Sequence, residues 1–203
     1  MKNLIQMAAA LISILIAYPS VPQTGQIRRV DFRYFSYPWD GLPDSTPMSW
    51  RWMDSSAKTK VRLANGLHKF IDPHAEEVVK EHSPALRLDS ITYGDLGIDG
   101  AEEAAVALNY TTGGTANWSY LYVYKLDHKA PALIARLESG SRAAGGLIKV
   151  NIQDELLILD FADLERRVGE CCSEGYVRVR YRWHEGHFVE EGPRERGDLT
   201  RPS

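Results

Sequence analysis

A chain of 203 residues, 44% apolar and 25% charged, has the makeup of one folded domain long enough to close a core without a metal or several disulfides. That composition excludes wholesale disorder and membrane embedding of the bulk. With 24 basic against 27 acidic side chains the net charge is −3, so the basic excess that marks a nucleic-acid-binding protein is missing.

Lys2 and the apolar run from Met7 to Ala17 read as a secretory signal over residues 1–22. The run falls well short of the roughly 20 residues that a spanning helix needs. Neither Leu15-Ile16-Ala17 nor Tyr18-Pro19-Ser20 puts small residues at both positions a signal peptidase reads, so an uncleaved membrane tether stays open beside a periplasmic or secreted product. Residues 23–45 mix prolines and aromatics without helical period. They are expected to be a linker and irregular N-terminal segment, with an edge strand near Val30 to Phe35. A β domain is expected over 46–191 and a disordered tail over 192–203, which has no apolar period.

Within the domain, Trp39, Trp50 and Trp52 cluster around Pro43 and Pro47, either as a sugar-stacking surface or, the favoured reading, as plugs sealing the end of a β core. Asn65-Gly66 tolerates positive φ at both central positions of a two-residue hairpin. Asp72-Pro73 with Glu76 and Glu77 predicts a short helix to about Glu81. From Leu86 to Leu126 three extended runs, joined by an acidic glycine loop and a glycine turn, predict an antiparallel meander.

A fourth run spans Pro131 to Glu138, and Leu147 to Ile152 is another. Glu155 to Phe161 is apolar apart from Glu155 and Asp160 and is expected to be covered on both faces. One or two helical turns follow over 161–169. Tyr176 to Trp183 alternates Val177, Val179, Tyr181 and Trp183 against Arg178, Arg180 and Arg182. A turn at Glu185-Gly186 would set Trp183 opposite Phe188 and Arg180 opposite Glu191. The fold class is therefore mainly β: a single domain whose antiparallel meander forms a sandwich or partly open barrel, with one or two short helices.

Several constellations could carry function. Trp118, Tyr120, Tyr122 and Tyr124 share one face of their strand and could stack on a glycan, or be buried in a central strand. Arg178, Arg180 and Arg182 could hold an anion, or form a solvated face balanced by Glu190, Glu191 or a neighbouring strand. Cys171 and Cys172 are adjacent and, in an oxidising compartment, could close a vicinal disulfide. His184 and His187 bracket a turn but lack an evident third metal ligand. Arg196-Gly197-Asp198 is an integrin-type tripeptide in the tail. Asn109-Tyr110-Thr111 and Asn117-Trp118-Ser119 fit the glycosylation pattern. No GxSxG, P-loop, GxGxxG or HExxH motif occurs.

The loop Asp95 to Glu103, DLGIDGAEE, followed by AAVALNY, resembles the acidic loop and strand of the FG-GAP or integrin-propeller repeat and of related calcium loops. The resemblance implies Asp95 and Asp99 as calcium ligands, Gly100 at the sharp turn and Glu103 closing the site. Gly97 stands where that pattern carries an oxygen-bearing side chain. The loop does not recur, which disfavours a propeller. More broadly, YGDLGIDGAEEAAVAL, GGTANWSYLYVY, GGLIKV and CCSEGYVRVRYRW together resemble a group of exported bacterial proteins. That implies an envelope or secreted location and brings no established activity.

The expected function is a non-enzymatic exported β domain that binds or braces something in the cell envelope. A glycan or another envelope protein would be its partner, no nucleic acid is expected, and calcium is the one candidate cofactor. A cell-wall glycan or peptide hydrolase and a calcium-stabilised structural module are the alternatives.

Overall fold

A computed structural model describes residues 26–41, 50–54, 56–57, 59–74, 76, 82–114, 116–168 and 172–199. The signal segment lies outside these residues. So does most of the helix expected before Glu81, of which only the start is described, where the His74 amide donates to the Asp72 carboxylate at 2.9 Å.

The described residues form fifteen strands and four single 3-10 turns. The first four, β1 (Ser36–Trp39), β2 (Arg51–Met53), β3 (Thr59–Arg62) and β4 (Leu67–Lys69), are short. Then come the long strands β5 (Ala85–Asp95), β6 (Glu102–Thr111), β7 (Asn117–Asp127) and β8 (Ala130–Ser139). β9 (Leu147–Gln153), β10 (Leu156–Ala162), β11 (Arg167–Val168), β12 (Cys172–Ser173), β13 (Gly175–His184), β14 (His187–Glu190) and β15 (Glu195–Asp198) complete the order. One sheet runs β2-β8-β7-β6-β5-β4, and its β5-to-β8 portion is the expected meander. A second runs β14-β13-β10-β9, with β15 also on β13. Every pairing is antiparallel, no barrel closes, and the architecture is a mainly β, sandwich-like fold.

Local turn chemistry explains the connections. Both central residues have positive φ at Asn65-Gly66, which closes only the single Ala64–Leu67 bridge because β3 pairs with β1 and β4 with β5, and at His128-Lys129, Asp154-Glu155 and Glu185-Gly186, which join strands paired with each other and match their twist. The last of these sets Trp183 opposite Phe188 as expected, and the Glu191 amide donates to the Arg180 carbonyl at 2.8 Å.

The first sheet is buried on both faces. Even-numbered residues of β6 and β7, namely Ala104, Val106, Leu108, Tyr120, Tyr122 and Tyr124, pack with Ile27, Phe32, Tyr37 and Trp39 of the N-terminal segment. Odd-numbered Ala105, Ala107, Leu121 and Val123 pack with Leu157, Leu159, Phe161, Val177 and Val179 of the second sheet. The result is three layers, with the meander in the middle.

Three expectations need correction. The described part of the segment expected as a linker, residues 26–41, is not one: Ile27, Phe32, Tyr37 and Trp39 are core, because the aromatic face of β7 needs a cover and they supply it. The tail is not wholly disordered, since β15 pairs with Gly175–Arg178 and ion pairs stand in for the apolar contacts it lacks. β10 is fully covered on one face but only partly on the other, where Asp160 and Ala162 are buried. Ile158, between Asn151 and Arg180, is half-buried on that second face, where long polar side chains shield it rather than a further layer. The tryptophans are plugs. Trp50 stacks on Phe161 at 3.9 Å between centroids, Trp52 on Phe188 at 5.0 Å, and Trp39 packs against Tyr110 and Tyr120.

The sheets approach closely at Gly94, where an added Cβ would lie 2.5 Å from Ile152 Cγ2. Gly94→Ala is expected to cost about 1–3 kcal/mol in chemical denaturation. In an Ile152→Gly background, which removes both the Cγ2 and the Cβ that lies 2.8 Å from the added atom, the added cost should largely vanish, and an undiminished cost there would show that Ile152 is not the obstacle.

Candidate functional site

On the inner face of the first sheet, the apolar pattern breaks toward one end. Ala107 and Leu121 are cross-strand partners within the core, but the next pair along, Asn109 and Ser119, is amide and hydroxyl, and Asn117 follows opposite Thr111. These half-buried polar groups face a cleft of about 650 Å³ between the sheets. Its far wall is Leu147 to Val150 of β9, with Ser141 and Ala143 at one end and Asp89 and Ser90 of β5 at the other.

Both strands that wall the cleft are bulged. The register of β5 against β6 shifts between Leu88 and Ser90, leaving Asp89 as the extra residue, and that of β9 against β10 shifts beside Lys149, leaving Ile148 extra. A bulge bends its strand and re-aims side chains, a device common next to binding sites. Beyond the cleft the sheets close again, where the Thr92 hydroxyl donates to the Val150 carbonyl at 3.2 Å. Among the described residues, no hydrogen bond engages the Asn109 amide or the side-chain hydroxyls of Ser90, Ser119 and Ser141. Of the lining residues, Asp89 and Lys149 are charged, one of each sign.

The residues singled out in the sequence lie elsewhere. Tyr120, Tyr122 and Tyr124 are at most 5% exposed, and the Tyr122 hydroxyl donates to the Pro38 carbonyl at 2.8 Å. They and the half-buried Trp118 belong to the core against the N-terminal layer, so they offer no open platform for a sugar. The arginine row is paired throughout. Arg178 grips the buried Asp160 with two bonds of 2.7 and 2.9 Å, Arg180 meets Glu195 at 2.9 Å, and Arg182 bridges Glu191 and Glu155. Its charge is thus balanced by β10, by β15 and by the residues flanking it, which removes the open anion site.

In the acidic loop, Asp95 accepts the Gly97 amide at 2.7 Å and Asp99 the Ala101 amide at 3.2 Å, each capping the backbone two residues on. Leu96 and Ile98 turn into the core and anchor the loop. Among the described residues no three His, Cys, Asp or Glu side chains gather as a metal site, so Asp95, Asp99 and Glu103 are not brought together as ligands. His184 and His187 face each other across their hairpin with centroids 6.5 Å apart. Arg196-Gly197-Asp198 is held in β15, exposed but with Arg196 on Glu165 and Asp198 on Arg166, rather than in a flexible tail. Cys172 is exposed in β12, while Cys171, and with it the expected disulfide, lies outside the described residues.

No protein-family model, no curated protein and no solved structure matches the chain.

Glu103 is the one residue of the acidic loop with unusual chemistry. It is fully buried, its Oε2 accepts the Leu96 amide at 2.8 Å, and its Oε1 has no hydrogen-bond partner. Burial, helped by Asp99 and Asp95 and opposed by the Leu96 bond and Lys125, pushes its carboxyl from 4.5 up to about 7. Between those two values the folded protein keeps a proton that the unfolded chain has released. Stability linked to Glu103 is therefore full below about pH 4.5 and is lost as pH rises to about 7. Denaturation curves from pH 4 to 8 are expected to show this loss in the wild type but not in Glu103→Gln. The variant should be the more stable above pH 7 by on the order of 2 kcal/mol. A variant less stable than the wild type at pH 8 would mean that the charged carboxylate is the native form.

Proposed function

We propose that this chain is an exported, non-enzymatic binding domain of the cell envelope whose ligand sits in the cleft between the two sheets. The observation that carries this reading is the set of hydrogen-bonding groups, Asn109, Ser119, Ser90 and Ser141, aimed into an inter-sheet space with no protein partner. A cavity of this size with a few convergent polar groups on a rigid scaffold is the usual form of a ligand site. Its lining favours binding over hydrolysis. Among the described residues Asp89 is its one carboxylate, whereas glycoside hydrolysis calls for two on opposite sides of the bond, and no described histidine or cysteine lines it to activate a nucleophile.

Export rests on Lys2 and the Met7–Ala17 run. Among the described residues no helix is long and apolar enough to cross a membrane.

Two measurements test the two halves of the proposal. A phosphatase that is active only outside the cytoplasm, fused after Ser203, should be active, and Leu11→Arg with Leu15→Arg should silence it. The purified chain should co-sediment with isolated cell-wall sacculi without releasing reducing ends. Ser90→Trp, at the exposed bulge beside the cleft, should abolish that co-sedimentation while leaving the fold intact by near-ultraviolet circular dichroism. Steady release of reducing ends would favour the hydrolase instead.

A further inference from the structure

Resting on that reading of the cleft, we propose that Thr92 and Ser139 are its positioning residues: two hydroxyls that hold the β9 wall at a fixed place over the first sheet without touching the ligand themselves. β9 is the outermost strand of the second sheet and, among the described residues, pairs only with β10. Four successive residues of it, Leu147 to Val150, line the cleft. Side chains alternate along a strand, so a strand that lines a space with successive residues turns its edge to that space. The edge carries the bulge at Ile148, where the ladder to β10 is interrupted. Such a wall is only weakly restrained by its own sheet.

Two bonds from the first sheet restrain it, one at each end. At the first end the Leu147 amide donates to the Ser139 hydroxyl at 3.0 Å, and the same hydroxyl donates to the Ser119 carbonyl at 3.2 Å. The fully buried Ser139 thereby ties the first residue of the wall to a strand of the cleft floor. The turn between Ser139 and Leu147 is tightly closed. Its Gly146 amide donates to the Ser141 carbonyl at 2.7 Å, and a Cβ added at Gly146 would lie 2.5 Å from the Gly140 carbonyl oxygen. At the second end the Val150 carbonyl accepts the Thr92 hydroxyl of β5 at 3.2 Å. Leu147, Val150 and Ser119 line the cleft, whereas Thr92 and Ser139 do not. Hydroxyls so placed act on binding through the groups they hold, since a wall already fixed in position need not be ordered by the ligand.

Thr92→Val removes one hydroxyl while keeping the shape of the side chain, and Ser139→Ala removes the other. Each is expected to weaken co-sedimentation of the full chain with isolated sacculi about three- to tenfold, the effect of one neutral hydrogen bond, at a temperature where near-ultraviolet circular dichroism shows the variant folded. In both free variants the Ile148 and Lys149 amides should gain microsecond-to-millisecond exchange by NMR relaxation dispersion. Thr92→Ser keeps the hydroxyl and should bind as the wild type does. Thr59→Val controls for stability alone: it deletes a hydroxyl bonded to the Trp39 carbonyl in the N-terminal layer, away from the cleft, and should leave binding unchanged. If Ser139→Ala fails to fold, the comparison of Thr92→Val with Thr92→Ser decides. Wild-type affinity in Thr92→Val and Ser139→Ala, or an equal loss in Thr59→Val, would overturn the positioning role, and Ser90→Trp still abolishing co-sedimentation would then leave the cleft as the binding site. Co-sedimentation absent in the wild type, or untouched by Ser90→Trp, would remove the cleft reading and this inference with it.

Discussion

Double-sided burial of β6 and β7 is the constraint from which the rest of the architecture follows. Residues Ala104 to Leu108 are consecutive and all buried, which a strand permits only if a separate core lies on each side. Large and small side chains alternate across the pairing on the N-terminal side: Ala104 opposes Tyr124 and Val106 opposes Tyr122. The phenol rings thus fill space that the alanine leaves, and their burial pushes their hydroxyls far above the usual tyrosine range. Such a face cannot be left to water, so the N-terminal layer is an obligatory part of the domain rather than an accessory. A slip of one residue in register would send the tyrosines toward the second sheet and break both cores together.

This dependence decides what could be read from the sequence. The meander, the two-residue turns and the alternation of β13 are local signals, carried by period two and by residues that tolerate positive φ, and they appear in the structure at the expected places. The N-terminal layer sends no such signal. Ile27, Phe32, Tyr37 and Trp39 are irregularly spaced, and they acquire structure only by docking on a sheet that comes later in the chain. β15 was invisible for the opposite reason. It is held by backbone bonds and by ion pairs from Glu195, Arg196 and Asp198, so its sequence looks like a solvated tail.

The acidic loop and the cleft fail to match the sequence in opposite ways. DLGIDGAEE has the letters of a cation loop, yet its geometry turns Asp95 and Asp99 onto backbone amides, and among the described residues no three acidic, His or Cys side chains gather there. The cleft has no motif. Its walls come from β5, β6, β7, β9 and the turn at Ser141, and the bulges at Asp89 and Ile148 leave no mark in composition. One legible trace existed. Asn109, Asn117 and Ser119 share a strand face with Ala107, Leu121 and Val123, so the polarity of that face reverses toward one end. In the sequence those residues stood out only as glycosylation patterns.

That reversal also explains why the space stays open. Two twisted sheets packed face to face diverge away from their line of closest approach, and a protein selected for stability alone fills the gap with large side chains. This one does so on the flank where Trp50, Trp52 and Phe188 wedge between β2 and β13. On the flank by β9 it closes the sheets with Gly94 under Ile152 and the Thr92 bond to Val150, then sets Asn109 and Ser119 where an apolar pair would extend the core. Each apolar side chain buried there would contribute roughly 1.5–3 kcal/mol. A fold that packs tryptophan into one flank and declines leucine in the other gives up stability at a particular place, and such local departures from consistent packing are where binding is found.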